Sequence, residues 1–305
     1  VSGYPTLPEQ RRLKGPANDV QLLRAALLKI GVPPQQIEVL ADTVPGSAGL
    51  PTRQAILASM DQLGQRAKSG DWVVLYFSGH GSQQPQTVRP GVSIEPDGLD
   101  EIFLPYDVGT WDPTRKVVQG AIIDDEIGDG IAKLTSRQVN VWAIFDTCHA
   151  GDMAKGTVSL AGGPVTRFVA PTALGVPNDK VVGGVAIKRR KSGDGTSKGM
   201  QLPSPVAAGP ASERLVAFYA SHADEPAAEE SLAVPAELAR TGGGAEPRRY
   251  FGLFTYLIAE ALRSPPASFR RLAQQLTERY KARPYPTPLF EGPIDKSPDF
   301  FPRRP

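Results

Sequence analysis

This chain of 305 residues has one cysteine and three histidines. Thiol and imidazole chemistry therefore has few places to act. Cys148 lies in Phe145-Asp-Thr-Cys-His-Ala-Gly151, and His80 in Tyr76-Phe-Ser-Gly-His-Gly81. A thiolate attacks a carbonyl carbon and an imidazolium protonates the leaving group, so Cys148 and His80 are the minimal nucleophile and acid–base pair. The amides of Gly81 and Cys148 are the expected oxyanion donors, and Gly81 lets backbone approach closely. A lone cysteine is ordinarily a small core hydrophobe, but the polar run around Cys148 argues otherwise. His149 follows Cys148 directly, so its side chain is expected to diverge and pack elsewhere. His222 has no local support for catalysis. No ligand-spaced set suggests zinc.

Both groups need rigid elements to position them. Asp71 to Phe77 and Val139 to Phe145 read as short buried strands ending just before His80 and Cys148. Arg214 to Ala220 reads as a third. Parallel neighbours would bring the two strand ends together, and functional groups of open α/β sheets gather beyond those ends. Asn18-Asp19 reads as a helix N-cap before Leu22, Leu23, Ala26, Leu27 and Ile30. Further helices are expected over Thr52–Ala67, Asp124 to about Leu134, Leu253–Leu262 and Ala267–Lys281. The acids Asp124, Asp125 and Glu126 sit at a positive helix end. Residues 82–117 read as loops with a hairpin, and Val118–Ile123 as a strand. Alternating strands and helices predict an α/β fold with a mainly parallel central sheet flanked by helices.

The composition sets outer limits. Gly and Pro number 31 and 30, about a fifth of the chain against a usual ~12%, so they are expected in loops. They concentrate between Asp152 and Ser212, which reads as a long mobile segment with a strand at Val181–Ile187. A net charge of +2 argues against nucleic acid as a default partner. One cysteine excludes an intramolecular disulfide. No apolar run is long enough for a membrane span. The tail from Pro284 to Pro305 is expected to lie extended on the surface.

The two motifs resemble the catalytic motifs of metacaspases and bacterial caspase-like cysteine peptidases. Other segments follow in order. Leu13-Lys-Gly-Pro-Ala-Asn-Asp-Val20 is similar to the early segment whose Asp lines the specificity pocket. Asp97-Gly-Leu-Asp-Glu101 with Leu104-Pro-Tyr-Asp107 resembles the acidic loop, and Ile123-Asp-Asp-Glu-Ile127 the next helix start. Arg214–Ala220 and Gly252-Leu-Phe-Thr-Tyr256 resemble the small-subunit region. The resemblance implies a caspase-like (caspase-hemoglobinase) fold in one domain: a large-subunit-like part at 1–151, a processing linker at 152–213 and a small-subunit-like part at 214–305. The family chain begins with a strand just before Val1. The resemblance also implies Cys148 as nucleophile, His80 as acid–base, and Asp19, Ser78 and Asp146 around the S1 pocket, with Asp224 an added acid. Such acids would select Arg or Lys before the cleaved bond, because a buried cation needs a charged partner. The plainer readings are a helix cap for Asp19 and a turn former for Asp146.

The same resemblance implies protein or peptide substrates and a monomer. Bacterial relatives often carry export signals, which is compatible with a bacterial protein reaching the periplasm after loss of a leader, or otherwise remaining cytoplasmic. Pro16 replaces the family's usual Cys, and Ala150 its Ser, and neither should stop the chemistry. Many eukaryotic members need calcium, and Asp97, Asp124, Asp125 and Glu95 are hard-oxygen candidates. Lys155 stands where a further acid is expected, so calcium dependence is expected to be weak or absent. The basic run Lys188-Arg189-Arg190-Lys191 is either a solvated loop or a self-cleavage site. Two other readings remain: a caspase-like relative with a different preference at the cleaved residue, and a non-catalytic scaffold.

Overall fold

The computed structural model describes residues 1–89, 97–148, 165–181, 212–222, 225, 227–238, 248–281 and 286–298. The helices are α1 (Pro16–Lys29), α2 (Arg53–Arg66), α3 (Asp124–Ser136), α4 (Asn178–Val181), α5 (Leu253–Leu262) and α6 (Phe269–Tyr280). The strands are β1 (Trp72–Ser78), β2 (Gly81–Pro85), β3 (Leu99–Phe103), β4 (Trp111–Asp112), β5 (Val117–Val118), β6 (Ile122–Ile123), β7 (Asn140–Asp146), β8 (Val165–Thr166), β9 (Leu215–Tyr219), β10 (Ala228–Ala233), β11 (Arg248–Gly252) and β12 (Leu289–Glu291).

The central sheet has the order β1-β7-β9-β12. β1, β7 and β9 are the three strands expected from sequence, and they are parallel. β12 closes one edge antiparallel to β9, so part of the tail expected on the surface is a sheet strand. The pleat sends alternate side chains to opposite faces. Val73, Leu75 and Phe77 of β1 join Val141, Ala143 and Phe145 of β7 in a core with α2 and α3. Trp72, Val74 and Tyr76 face the other way with Trp142 and Ile144, under α1, α5 and α6. Phe77, Phe145 and Tyr219 stack in a row across the first face, with centroids 5.4 and 5.3 Å apart.

Sequence reading is corrected at several places. α1 starts at Pro16 after Gly15, not at an Asn18 cap. Proline fits a first helical turn because its missing N–H is unneeded there, and this draws Asp19 inside the helix. Residues 118–123 form two short strands, because Gly120 takes φ +73° and turns the chain between them. The stretch read as a mobile segment from 152 to 213 contains an ordered part at 165–181, with Phe168, Val169, Leu174 and Val176 buried. The expected strand at Val181–Ile187 lies, beyond Val181, outside the described residues. Among the described residues no helix is long and apolar enough to cross a membrane.

Candidate active site

The register of β1 on β7 pairs Ser78 with Asp146. His80 and Cys148 each lie two residues beyond that pair, so the parallel ladder delivers both to the same end of the sheet. Both are almost wholly buried. The His80 ring is held by two groups that sequence reasoning missed. Its Nε2 lies 2.6 Å from the carbonyl oxygen of Arg11, an acceptor only, so Nε2 carries the proton and Nδ1 keeps its lone pair. Nδ1 is buried with no hydrogen-bond partner. The Tyr4 hydroxyl accepts the His80 backbone N–H at 2.7 Å, and the two rings lie 4.9 Å apart. Burial lowers the imidazole from its ordinary value near 6.5 to about 4, against the upward pull of the carbonyls of Arg11 and Arg167. The Cys148 Sγ lies 3.5 Å from the Glu225 carbonyl oxygen, to which it donates.

Asp19, Ser78 and Asp146 do come together, around the guanidinium of Arg167. Its Nη2 is 2.5 Å from Asp19 Oδ2, and its Nη1 is 3.0 Å from Asp146 Oδ1. Nη1 also donates to Ser78 Oγ and to the Asp146 carbonyl, each at 2.9 Å. All three charged side chains are at most 1% exposed. Burial disfavours the Arg167 cation, but the carboxylates of Asp146 and Asp19 outweigh it and hold the proton more tightly than usual. Gly252 N–H donates to Asp19 Oδ1 at 2.8 Å, while Thr255 donates to Asp146 Oδ2 from its amide at 3.1 Å and its hydroxyl at 2.5 Å. Gly15 and Gly252 make room: a Cβ on Gly15 would stand 2.7 Å from Arg167, and one on Gly252 2.2 Å from Asp146. Buried Glu229 adds a third carboxylate nearby and accepts from the amides of Lys14 and Gly15. Thr255 lies in a motif the sequence flagged. Arg167 and Glu229 carry no local signal, and their role comes from chain crossings alone.

The Gly81 amide, expected as an oxyanion donor, donates to the Arg167 carbonyl at 2.9 Å. A profile of the family described as "Metacaspase, peptidase C14 domain" matches residues 4–156, half of the chain. The chain belongs to the metacaspase peptidase C14 family. It is similar to Metacaspase-1 of Lodderomyces elongisporus, 34% identical over 142 residues that cover 46% of this chain and 30% of that protein. Against Metacaspase-1 of Arabidopsis thaliana it is 34% identical over 143 residues, 47% of this chain and 36% of that one. The matched stretch thus spans about a third of each relative. In fold, the metacaspase domain resembles a structural-genomics crystal structure of a Geobacter sulfurreducens protein, with TM-score 0.54, 18% identity and coverage of 99% of this chain and 95% of that one.

The remaining expected site residues fall elsewhere. Asp224, Glu95, Lys155 and Lys188–Lys191 lie outside the described residues. Asp97 accepts the Leu99 amide in its own turn at 3.2 Å. Asp124 and Asp125 are buried at the start of α3. Arg89 reaches Asp125 at 3.5 Å and Asp129 at 2.5 Å. Among the described residues no group of three or more His, Cys, Asp or Glu is arranged to hold a metal ion. Of these candidates, Asp97 turns to its own loop and Asp125 already faces a cation.

Proposed function

We propose that this metacaspase domain is a cysteine endopeptidase that cleaves after Arg or Lys, with Cys148 as nucleophile and His80 as acid–base. The observation that carries this reading is the buried acid pocket below the strand ends, which grips a guanidinium with two carboxylates and a hydroxyl. A P1 Asp there would meet like charges in a dry site, a strongly unfavourable arrangement. The Arg11 carbonyl supports the histidine's part. It fixes the tautomer and ring plane, as the third member of a catalytic triad does. Nδ1 then takes the thiol proton, Sγ attacks the carbonyl carbon, the Gly81 amide meets the developing oxyanion, and the imidazolium returns the proton to the leaving amine.

The proposed enzyme acts as a monomer, and protein or peptide substrates follow from the family. The reaction is proposed to run without calcium, since Arg89 faces the acids at the α3 start. The test is hydrolysis of matched peptides bearing Arg, Lys or Asp before the bond, run beside Cys148→Ala. Arg and Lys peptides are expected to be cut, the Asp peptide to survive, and the variant to lose the activity by at least about 10³-fold. Preference for Asp would overturn the specificity.

A further inference from the structure

We propose that residues 165–169 occupy the cleft as the chain's own substrate, and that Arg167–Phe168 is the bond this enzyme cuts in itself. The proposal rests on the peptidase reading above and adds to it the bond and the register. Its basis is that backbone as well as side chain is held as a substrate would be. The Arg167 guanidinium fills the acid pocket. The Arg167 carbonyl accepts from the Gly81 amide at 2.9 Å, the donor expected for an oxyanion. The Arg167 N–H donates to the Ala227 carbonyl at 2.9 Å. On the amino side, Thr166 and Val165 pair antiparallel with Ala228 and Glu229 of β10. On the carboxyl side, the Val169 N–H donates to the Gly81 carbonyl at 3.0 Å, with Phe168 bridged to Gly81. An arginine kept only to neutralise buried acids needs none of these main-chain bonds. An extended peptide added to a sheet edge, with one side chain in a specificity pocket, makes them all.

The chemistry follows from that register. The Cys148 proton passes to His80 Nδ1, and Sγ bonds to the Arg167 carbonyl carbon. The bond from that carbon to the Phe168 nitrogen breaks as His80 gives the nitrogen its proton. Water then adds its hydroxyl to the thioester carbon and its hydrogen to sulfur, freeing the thiol and leaving an Arg167 carboxylate. The cut falls at Arg167, upstream of the basic run at 188–191.

The whole chain tests this by intact mass and N-terminal sequencing of its fragments. Wild type is expected to yield a new terminus at Phe168, with a half-time unchanged on dilution because the segment is bound by its own cleft. Cys148→Ala should show no such terminus. Arg167→Lys should keep the cut, and Arg167→Gln should lose it. Arg167→Lys keeps the buried charge, so it remains informative if Arg167→Gln fails to fold. A wild-type chain that hydrolyses the Arg peptide but never yields Phe168 overturns this proposal and leaves the peptidase reading intact. A Phe168 terminus in Cys148→Ala assigns the cut to another protease and overturns it too. A chain inert toward both the peptide and itself removes both.

Discussion

Two regions of the molecule set an arginine among carboxylates, and they differ in their surroundings. At the strand ends, the Arg167 side chain is wholly buried with Asp19 and Asp146. At the start of α3, Arg89 is 30% exposed, and its partner Asp129 is 58% exposed. The charges are alike, yet among the described residues the first set is enclosed by side chains and amides from α1, β1, β7, β11 and α5, with Glu229 of β10 nearby. The second can be solvated on one side. Burial makes the first group depend on every partner, because each carboxylate must be matched by donors in fixed positions. In the second, partly exposed Arg89 and Asp129 form a pair that water can replace, while Asp125 stays buried.

The largest expected effect breaks the buried set. Asp146→Asn keeps the shape but leaves Arg167 with one fewer charged partner. Breaking a buried pair costs about 3–5 kcal/mol. That loss is expected in urea unfolding of the uncut Cys148→Ala chain, with Asp146→Asn added. A loss below about 1 kcal/mol would put Arg167 on the same footing as a surface pair, and the contrast between the regions would vanish.

A smaller effect sharpens the same contrast through pH. The unfolded imidazole titrates near its ordinary 6.5, whereas buried His80 resists protonation down to about 4. Above about pH 6.5 both states are neutral and the full contribution is present. As pH falls from there toward 4, the unfolded state takes up the proton first, so stability is lost, by about 3 kcal/mol in all. Below 4 the loss is complete. The gap between unfolding curves of Cys148→Ala at pH 7 and pH 4.5 should therefore narrow when His80→Gln is added. If the gap between the two pH values stays the same, His80 is open to water and the cleft is not the dry site inferred from its burial.

The same contrast explains what the sequence made legible. His80 and Cys148 follow apolar β-rich runs, and parallel pairing carries both to one place, so motif and period together suffice. Asp19 sits beside a recognisable helix start and Asp146 at the end of a recognisable strand. Arg167 was invisible for a physical reason. Its partners Asp19, Ser78 and Asp146 stand 148, 89 and 21 residues away in sequence, and its own stretch sits in a Gly- and Pro-rich region without a helical period. The one usable signal was Val165-Thr-Arg-Phe-Val169, a short β-rich run around a single cation. The Arg11 carbonyl and Tyr4 hydroxyl were beyond reach altogether, since one is a backbone atom and both precede the first helix.

The smallest effect belongs to the α3 region. Arg89→Gln removes a cation shared by exposed Asp129 and nearly buried Asp125, so the stability loss is expected at about 1–2 kcal/mol, between a surface pair and a broken buried pair. Burial raises the Asp125 carboxyl above its ordinary value, and Arg89 offsets this only in part. A divalent ion entering beside Asp125 would meet the Arg89 charge, 3.5 Å from the same carboxylate. Hydrolysis of the Arg peptide by wild type is therefore expected to be the same with added calcium and with excess chelator. A large chelator-sensitive loss would mean that Arg89 gives way to an ion. The second region would then depend on charge as strictly as the first, with the cation supplied from solution instead of by the chain.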